Sequence, residues 1–346
     1  MSLLTVSGLR KRFNLEAGFF AKFGRFVNAV NDVSFSIGRN ESYGLVGESG
    51  CGKTTTARLL VRMYDPDGGT ITFNGGSTQA DVSALRGGEL RRYRQKVKYV
   101  FQDPARSLNP RMSVHDVLVS GYLWSGLGND AKSGSSRVRV AKEELRERAA
   151  AALEEVGLTA ADLDKRPSEF SGGQRQRISI ARSLLPQPEI LICDEVVSAL
   201  DVSVQSRILN LLLDIRENRI RENRAMSFLF IAHDLKVACY FCDRIGVMYS
   251  GQLVEEAPAA TLWSDCRHPY TRMLFSSATG MKPGMVPGGY DTASARQPSA
   301  VATSAAGKGT APCAFAPRCP QATAQCFREE PPITEVEPGH KVRCHL

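Results

Sequence analysis

Two stretches of this chain have the residue types and spacing to handle a polyphosphate. The first is Gly47-Glu48-Ser49-Gly50-Cys51-Gly52-Lys53-Thr54-Thr55, which fits G-x-x-x-x-G-K-[ST]. Glycines at this spacing let successive backbone N–H groups turn inward around β- and γ-phosphates, and the helix that follows adds the positive end of its dipole. Lys53 would neutralise phosphate charge, and the Thr54 hydroxyl would ligate Mg²⁺. The second is Asp194-Glu195, delivered by the apolar run Ile190-Leu191-Ile192-Cys193. Asp194 is suited to hold Mg²⁺ through water, and Glu195 to orient or deprotonate an attacking water. Alone, the first could be a Gly-rich turn that matches by chance, and the second any strand that ends in acids. Together in one chain they imply nucleotide binding.

A third cluster is Phe170-Ser171-Gly172-Gly173-Gln174-Arg175-Gln176-Arg177, at the start of an amphipathic helix with Ile178, Ala181, Leu184 and Leu185 on its inner face. A Ser and two glycines at a helix start make an anion cradle from backbone N–H groups and a hydroxyl; the plainer reading is an ordinary N-cap. His233 directly follows another apolar run, Ser227 to Ala232. The end of the chain reads Cys313-x5-Cys319-Pro320-x5-Cys326-x17-Cys344. These four cysteines admit free thiols, a zinc site or a [4Fe–4S] cluster. Zinc sites favour close Cys pairs, which are absent, whereas wider spacing with one Cys directly before Pro suits the cluster better. Cys51, Cys193, Cys239, Cys242 and Cys266 read as small apolar packing residues.

The elements that must position these groups follow from patterning. Tyr43-Gly44-Leu45-Val46 is a buried strand before the phosphate loop, and Thr56 to Val61 the first turns of a helix after it. Leu3 to Val6 and Val27 to Ile37 read as strands, the second alternating at Val33, Phe35 and Ile37. Asn14 to Phe26 between them is an aromatic-rich loop. Asp65-Pro66-Asp67-Gly68-Gly69 is a turn, Thr70 to Gly75 an edge strand, and Lys96 to Phe101 a strand ending at Gln102. From Ser113 to about Leu163 the pattern is helical, interrupted at Ser125–Ser136, with Leu145, Ala149, Leu153 and Val156 on one face. A further helix begins at about Ser203. The direct repeat Arg216-Glu217-Asn218-Arg219-Ile220/Arg221-Glu222-Asn223-Arg224-Ala225 is expected to lengthen a solvated helix end or its loop.

The chain has 346 residues, 42% of them hydrophobic and 23% charged, which is globular composition with room for a large domain and an appendage. No apolar run reaches the length of a membrane span, and the N-terminus lacks a secretory pattern. Nine cysteines scattered without pairing suit a reducing cytosol. The net charge of +8 is spread along helices and is weak support for a nucleic-acid or membrane partner.

Taken in order, the phosphate loop, Gln102, Ser171-Gly172-Gly173-Gln174, Asp194-Glu195, Ser198-Ala199-Leu200-Asp201 and His233 resemble an ABC-type ATPase subunit over roughly residues 3–275. The resemblance implies an α/β fold: a RecA-like P-loop core with an antiparallel β subdomain and an α-helical subdomain (about 110–175). It gives an ATPase domain at 1–280, a Gly/Pro/Ala/Ser-rich linker at 281–311 and a Cys-rich extension at 312–346. It implies ATP and Mg²⁺ as ligands, with Lys53, Gln102, Glu195 and His233 in catalysis. Gln102 resembles the glutamine that senses Mg²⁺ and the γ-phosphate, and His233 the switch histidine. Ser171, Gly172, Gly173 and Gln174 resemble the signature that contacts ATP held by the opposite subunit, and the Ser198–Asp201 loop the one crossing that interface. Phe13 is placed to stack on adenine. One phosphate loop and one signature per chain then imply a head-to-tail pair.

Within that family, Phe101 to Pro104, Ser107 to Met112, Val197 to Ser203 and His268 to Arg272 are similar to the ATPase subunits of oligopeptide and dipeptide importers, which also supports the cluster in the Cys-rich tail. The resemblance implies a second, distinct ATPase, two transmembrane permeases and an extracytoplasmic solute-binding protein, with this chain on the cytoplasmic face of a bacterial membrane and no nucleic acid. The same subfamily carries nickel, glutathione and antimicrobial peptides, so it leaves the solute open. The competing readings are a soluble ABC ATPase on ribosomes or nucleic acid, usually with two cassettes per chain, and an exporter ATPase, commonly fused to membrane spans.

Overall fold

The computed structural model describes residues 2–14, 26–75, 79–124, 142–198, 200–279 and 312–345. The aromatic loop after Asn14, the helical interruption at 125–136 and the linker at 281–311 lie outside them. In chain order the elements are β1 (Ser2–Asn14), β2 (Phe26–Gly38), β3 (Ser42–Val46), α1 (Lys53–Leu60), β4 (Gly68–Phe73), β5 (Ala80–Asp81), α2 (Gly87–Lys96), β6 (Val97–Val100), α3 (Pro104–Ser107), α4 (Val114–Trp124) and α5 (Lys142–Glu155). There follow α6 (Gly172–Leu184), β7 (Ile190–Asp194), α7 (Val202–Arg221), β8 (Ser227–Ala232), α8 (Leu235–Phe241), β9 (Arg244–Tyr249), β10 (Gln252–Pro258), α9 (Ala259–Ser264), α10 (Pro269–Thr279), β11 (Ile333–Glu337) and β12 (His340–Arg343).

The chain divides into two compact units. One holds Thr72–Ile231 with the short pieces Met1–Leu4 and Ile37–Glu41. Its centre is the parallel set β6–β7–β8, with Val100 beside Cys193 and Asp194 beside Ile231. Ile190 to Cys193 and Phe228 to Ile231 are fully buried on both faces, as a parallel strand covered by helices requires. The helical layer is α4, α5 and α6 packed on one another. Leu145, Ala149, Leu153 and Val156 are buried as the 3.6-residue period predicts, and so are Ile178, Ala181, Leu184 and Leu185 on α6.

The other unit holds Thr5–Ser36, Ser42–Ile71 and Ala232–Leu346. Here β3 pairs in parallel with β9, β9 and β10 are antiparallel, and β12 and β11 continue the sheet outward from β10. Thus the Cys-rich tail ends in a hairpin whose β12 hydrogen-bonds to the cassette sheet, Glu255 lying opposite Val342. A second sheet has the order β2–β1–β4, and the last residues of β4 pair antiparallel with β5 in the first unit.

Two readings of the sequence need correction, and one helix was not foreseen. The strand expected at the edge, β4, lies between β1 and the two-residue β5. Helix α2 is strongly polar, with Leu90 and Tyr93 its only apolar side chains and Tyr93 the one buried, too little to mark a helix in the sequence. The repeat is not merely a solvated helix end. Arg219, 2% exposed, donates from Nε and Nη2 to the Glu155 carboxylate at 2.8 and 3.1 Å, and Arg216 Nη2 donates to the Asn40 carbonyl at 3.1 Å.

Candidate active site

The phosphate loop begins where β3, buried throughout, runs out of apolar residues at Val46. Two of its glycines are there for clearance. A Cβ on Gly47 would lie 2.2 Å from the Met248 carbonyl oxygen. One on Gly52, which holds φ +110°, would lie 2.2 Å from that of Ala29. Gly52 is also the N-cap of α1, and Thr54 and Thr55 sit half-buried in the first turn, where helix amides point toward an incoming anion. Lys53 is buried to 4% exposure, and its ammonium reaches back over the loop to the carbonyls of Gly47 (2.7 Å) and Glu48 (3.0 Å). Cys51 Sγ lies 3.8 Å from that ammonium; burial pushes its thiol pKa up, so it packs as a neutral group. Ser49 and Gly50 are exposed at the tip.

Two residues outside the expected nucleotide site hold Glu48. Its amide donates to Tyr270 Oη at 2.9 Å, and its carboxylate receives both guanidinium nitrogens of Arg318 at 2.8 and 2.9 Å. No spacing rule links position 48 to 270 or 318. In the same unit, Phe13 at the end of β1 is half-buried, edge-on to Tyr64 (5.3 Å between centroids) with Lys11 Nζ over its ring. His233 is exposed, and Asp234 after it caps α8 by accepting from the Lys236 amide. The His233 ring is therefore not packed in the core.

In the first unit, Asp194 closes β7 at 2% exposure with Tyr99 Oη hydrogen-bonded to its carboxylate. Glu195 has φ +48°, left-handed backbone that a non-glycine residue adopts at a cost of about 1–2 kcal/mol. Its amide donates to the Ile231 carbonyl, its own carbonyl accepts from the Ser198 amide and hydroxyl, and Gln102 Nε2 donates to its Oε2 at 2.8 Å. Gln102, Asp194 and Glu195 are therefore brought together. The Ser171–Gln174 turn is a closed capping box: the Gln174 amide donates to Ser171 Oγ and the Ser171 amide to Gln174 Oε1. Ser171, Gly172 and Gln174 are exposed, and Asp201, at the N-cap position of α7, is exposed as well. Ala199 lies outside the described residues.

Residues 30–198 match the ABC transporter family and residues 254–326 the oligopeptide/dipeptide transporter C-terminal region. The chain is 42% identical over 275 residues to the oligopeptide transport ATP-binding protein OppF of Bacillus subtilis (strain 168), covering 80% of this chain and 82% of that one. It is 39% identical to YkfD of the same organism, named as a candidate oligopeptide transport ATP-binding protein, over all of this chain and 96% of that one. The chain belongs to the ATP-binding subunits of oligopeptide and dipeptide ABC importers. Its fold agrees with solved cassettes: the dimeric ATP-binding cassette MJ0796 bound to ADP and Pi superposes with a TM-score of 0.59 at 24% identity, over 74% of this chain and 98% of that one. The ADP conformation of the cassette MJ1267 gives 0.60 at 22% identity, over 80% and 98%.

The Cys-rich tail of this ATP-binding subunit folds into short turns. The Cys313 amide donates to the Cys326 carbonyl at 2.9 Å. Burial pushes the Cys319 thiol up to about 11, and Cys344, Cys313 and Cys326 add to the rise by like-charge repulsion. Among the described residues, no three His, Cys, Asp or Glu side chains stand close enough to hold a metal ion. No helix among them is long and apolar enough to cross a membrane.

Proposed function

We propose that this subunit hydrolyses ATP to drive uptake of oligopeptides or dipeptides, as one half of a head-to-tail pair with a second ATPase. The phosphate-loop amides and Lys53 bind the triphosphate, and Phe13 takes the adenine. Glu195 accepts a proton from the attacking water, Gln102 holds that carboxylate in place, and His233 contacts the γ-phosphate. Ser171, Gly172, Gly173, Gln174 and Asp201 face the nucleotide held by the partner. Thr54, Gln102 and Asp194 offer the hard oxygen donors that Mg²⁺ takes. When bound, that ion supplies charge neutralisation at the phosphate oxygens. The observation that carries the reading is Glu195, held in strained backbone with Gln102 on its carboxylate, an arrangement with no evident structural benefit. The peptide class rests on the relatives named above.

ATP-driven closing and opening of the pair is transmitted to two membrane permeases supplied by an extracytoplasmic binding protein, with this subunit at the cytoplasmic face. The test is a native-membrane pull-down of Glu195→Gln with ATP and Mg²⁺. Recovery of two multi-span proteins and a second ATPase supports the reading; recovery of ribosomal proteins or nucleic acid without membrane subunits overturns it.

For the tail, the spacing of Cys313, Cys319, Cys326 and Cys344, with no close Cys pair and one Cys directly before Pro, favours a [4Fe–4S] cluster over zinc. Cys313, Cys319, Cys326 and Cys344 would hold it. Anaerobic purification followed by iron, sulfide and zinc analysis checks this: iron with equimolar sulfide that is lost in Cys319→Ser supports a cluster, and zinc or no metal overturns it.

A further inference from the structure

The phosphate loop must accept a polyanion, yet its second residue is the acid Glu48. A carboxylate in the loop raises the local negative potential unless a cation answers it. The cation that does so is Arg318, which lies in the tail between Cys313 and Cys319. It makes both bonds of a guanidinium–carboxylate fork, 2.8 and 2.9 Å, and its side chain is largely covered at 19% exposure. The Glu48 bonds push the Arg318 pKa up. The fork is aimed by the rings beneath it: the guanidinium lies 5.6 Å from the Tyr249 centroid and 5.9 Å from that of Phe315. Phe315 packs on Tyr249 and on the fully buried Tyr270, and Tyr270 Oη takes the Glu48 amide. Glu48 is thus gripped at its amide by α10 and at its carboxylate by the tail.

We propose that Arg318 is a positioning residue for nucleotide binding, neutralising Glu48 and fixing the phosphate loop in its receptive shape. This rests on the ATP-binding reading above. It assigns the tail a part in the nucleotide site that does not depend on what its thiols hold. The seating of the tail does not rest on Arg318. The β12–β10 pairing, the buried His340–Glu255 contact (2.8 Å) and the Arg343–Asp32 pair (3.2 Å) hold it independently. Arg318 variants therefore keep the fold.

A double-mutant cycle on the full-length subunit separates neutralisation from packing. ATP affinity is read with a fluorescent ATP analogue and by the KM of hydrolysis, for Arg318→Met, Arg318→Lys, Glu48→Gln and the double variant. Arg318→Met is expected to weaken ATP about threefold to tenfold, the scale of a well-aligned charge pair, with the loss in KM rather than kcat. Arg318→Lys recovers part of it. The double variant, with both charges gone, returns to within about twofold of wild type. An unchanged affinity in Arg318→Met, or a double variant as weak as Arg318→Met, overturns the proposal. Lys53→Ala is measured alongside: if it binds ATP as wild type does, the ATP-site reading itself fails, whatever Arg318 does.

Discussion

Gln102 Nε2 donates to Glu195 Oε2 at 2.8 Å, and Glu195 makes that bond from left-handed backbone at φ +48°. The two features belong together. Asp194 ends a fully buried strand, and the chain turns sharply there, the Glu195 amide bonding to Ile231 and its carbonyl to Ser198. The turn brings the Glu195 carboxylate to Gln102, where the amide fixes its direction. A strained backbone that places a carboxylate is the arrangement expected where geometry is kept for chemistry.

Glu195→Gln should therefore bind ATP but hydrolyse it at least about a hundredfold more slowly, the scale of a lost general base. Glu195→Gly should be equally inactive yet no less stable, because relief of the left-handed strain offsets the extra chain entropy of glycine. Steady-state phosphate release and thermal unfolding check both. A glycine variant melting several degrees below wild type would sink the strain argument.

The chemistry-bearing stretches were legible because each has a local signature. The phosphate loop is a fixed spacing, β7 and β8 are unbroken apolar runs, and Ser171 three residues before Gln174 is a capping box written in sequence. What escaped was non-local or unpatterned. Helix α2 offers only Leu90 and Tyr93 among polar residues, and the grip of Tyr270 and Arg318 on Glu48 joins positions far apart in the chain. The repeat misled for a different reason. Its two copies are near-identical in sequence, but α7 ends at Arg221, so only the first copy presents its arginine to Glu155.

That difference within the repeat is measurable. Arg219→Ala removes a buried guanidinium and leaves Glu155 without its partner, so a loss of about 3 kcal/mol is expected. Arg224, its counterpart in the second copy, pairs with the exposed Glu222, and Arg224→Ala should stay within about 0.5 kcal/mol of wild type. Urea unfolding of the two variants decides; equal effects would mean that the Arg219–Glu155 fork contributes nothing.

His268 gives the fold a pH dependence of known sign. Burial pushes its pKa down to about 4, against a smaller opposing pull from Glu255. Its Nδ1 accepts the Tyr270 amide, which only an unprotonated nitrogen can do. The unfolded chain takes up a proton near pH 6.5 and the folded one only near 4, so stability is lost as pH falls through that window, by about 3 kcal/mol at its lower end. His268→Asn keeps an acceptor and removes the titration. Its stability between pH 7 and 4 should fall less steeply than that of wild type, and parallel curves would refute the assignment.

Glu255 is the anchor of the tail hairpin. Fully buried on β10, it accepts the Arg267 and His268 amides at 2.6 and 3.1 Å and His340 Nε2 at 2.8 Å. Removing His340 leaves a buried carboxylate short of one donor, which costs about 1–3 kcal/mol, more if the lost donor was charged. Because His340 opens β12, the loss should appear as local opening of the hairpin before the cassette unfolds. In His340→Ala, hydrogen exchange at residues 340–343 should quicken by tenfold or more, while the amides of β7 and β8 keep their protection. Unchanged exchange in β12 would show that backbone pairing alone holds the tail. Uniformly faster exchange would show that the hairpin and the sheet open as one.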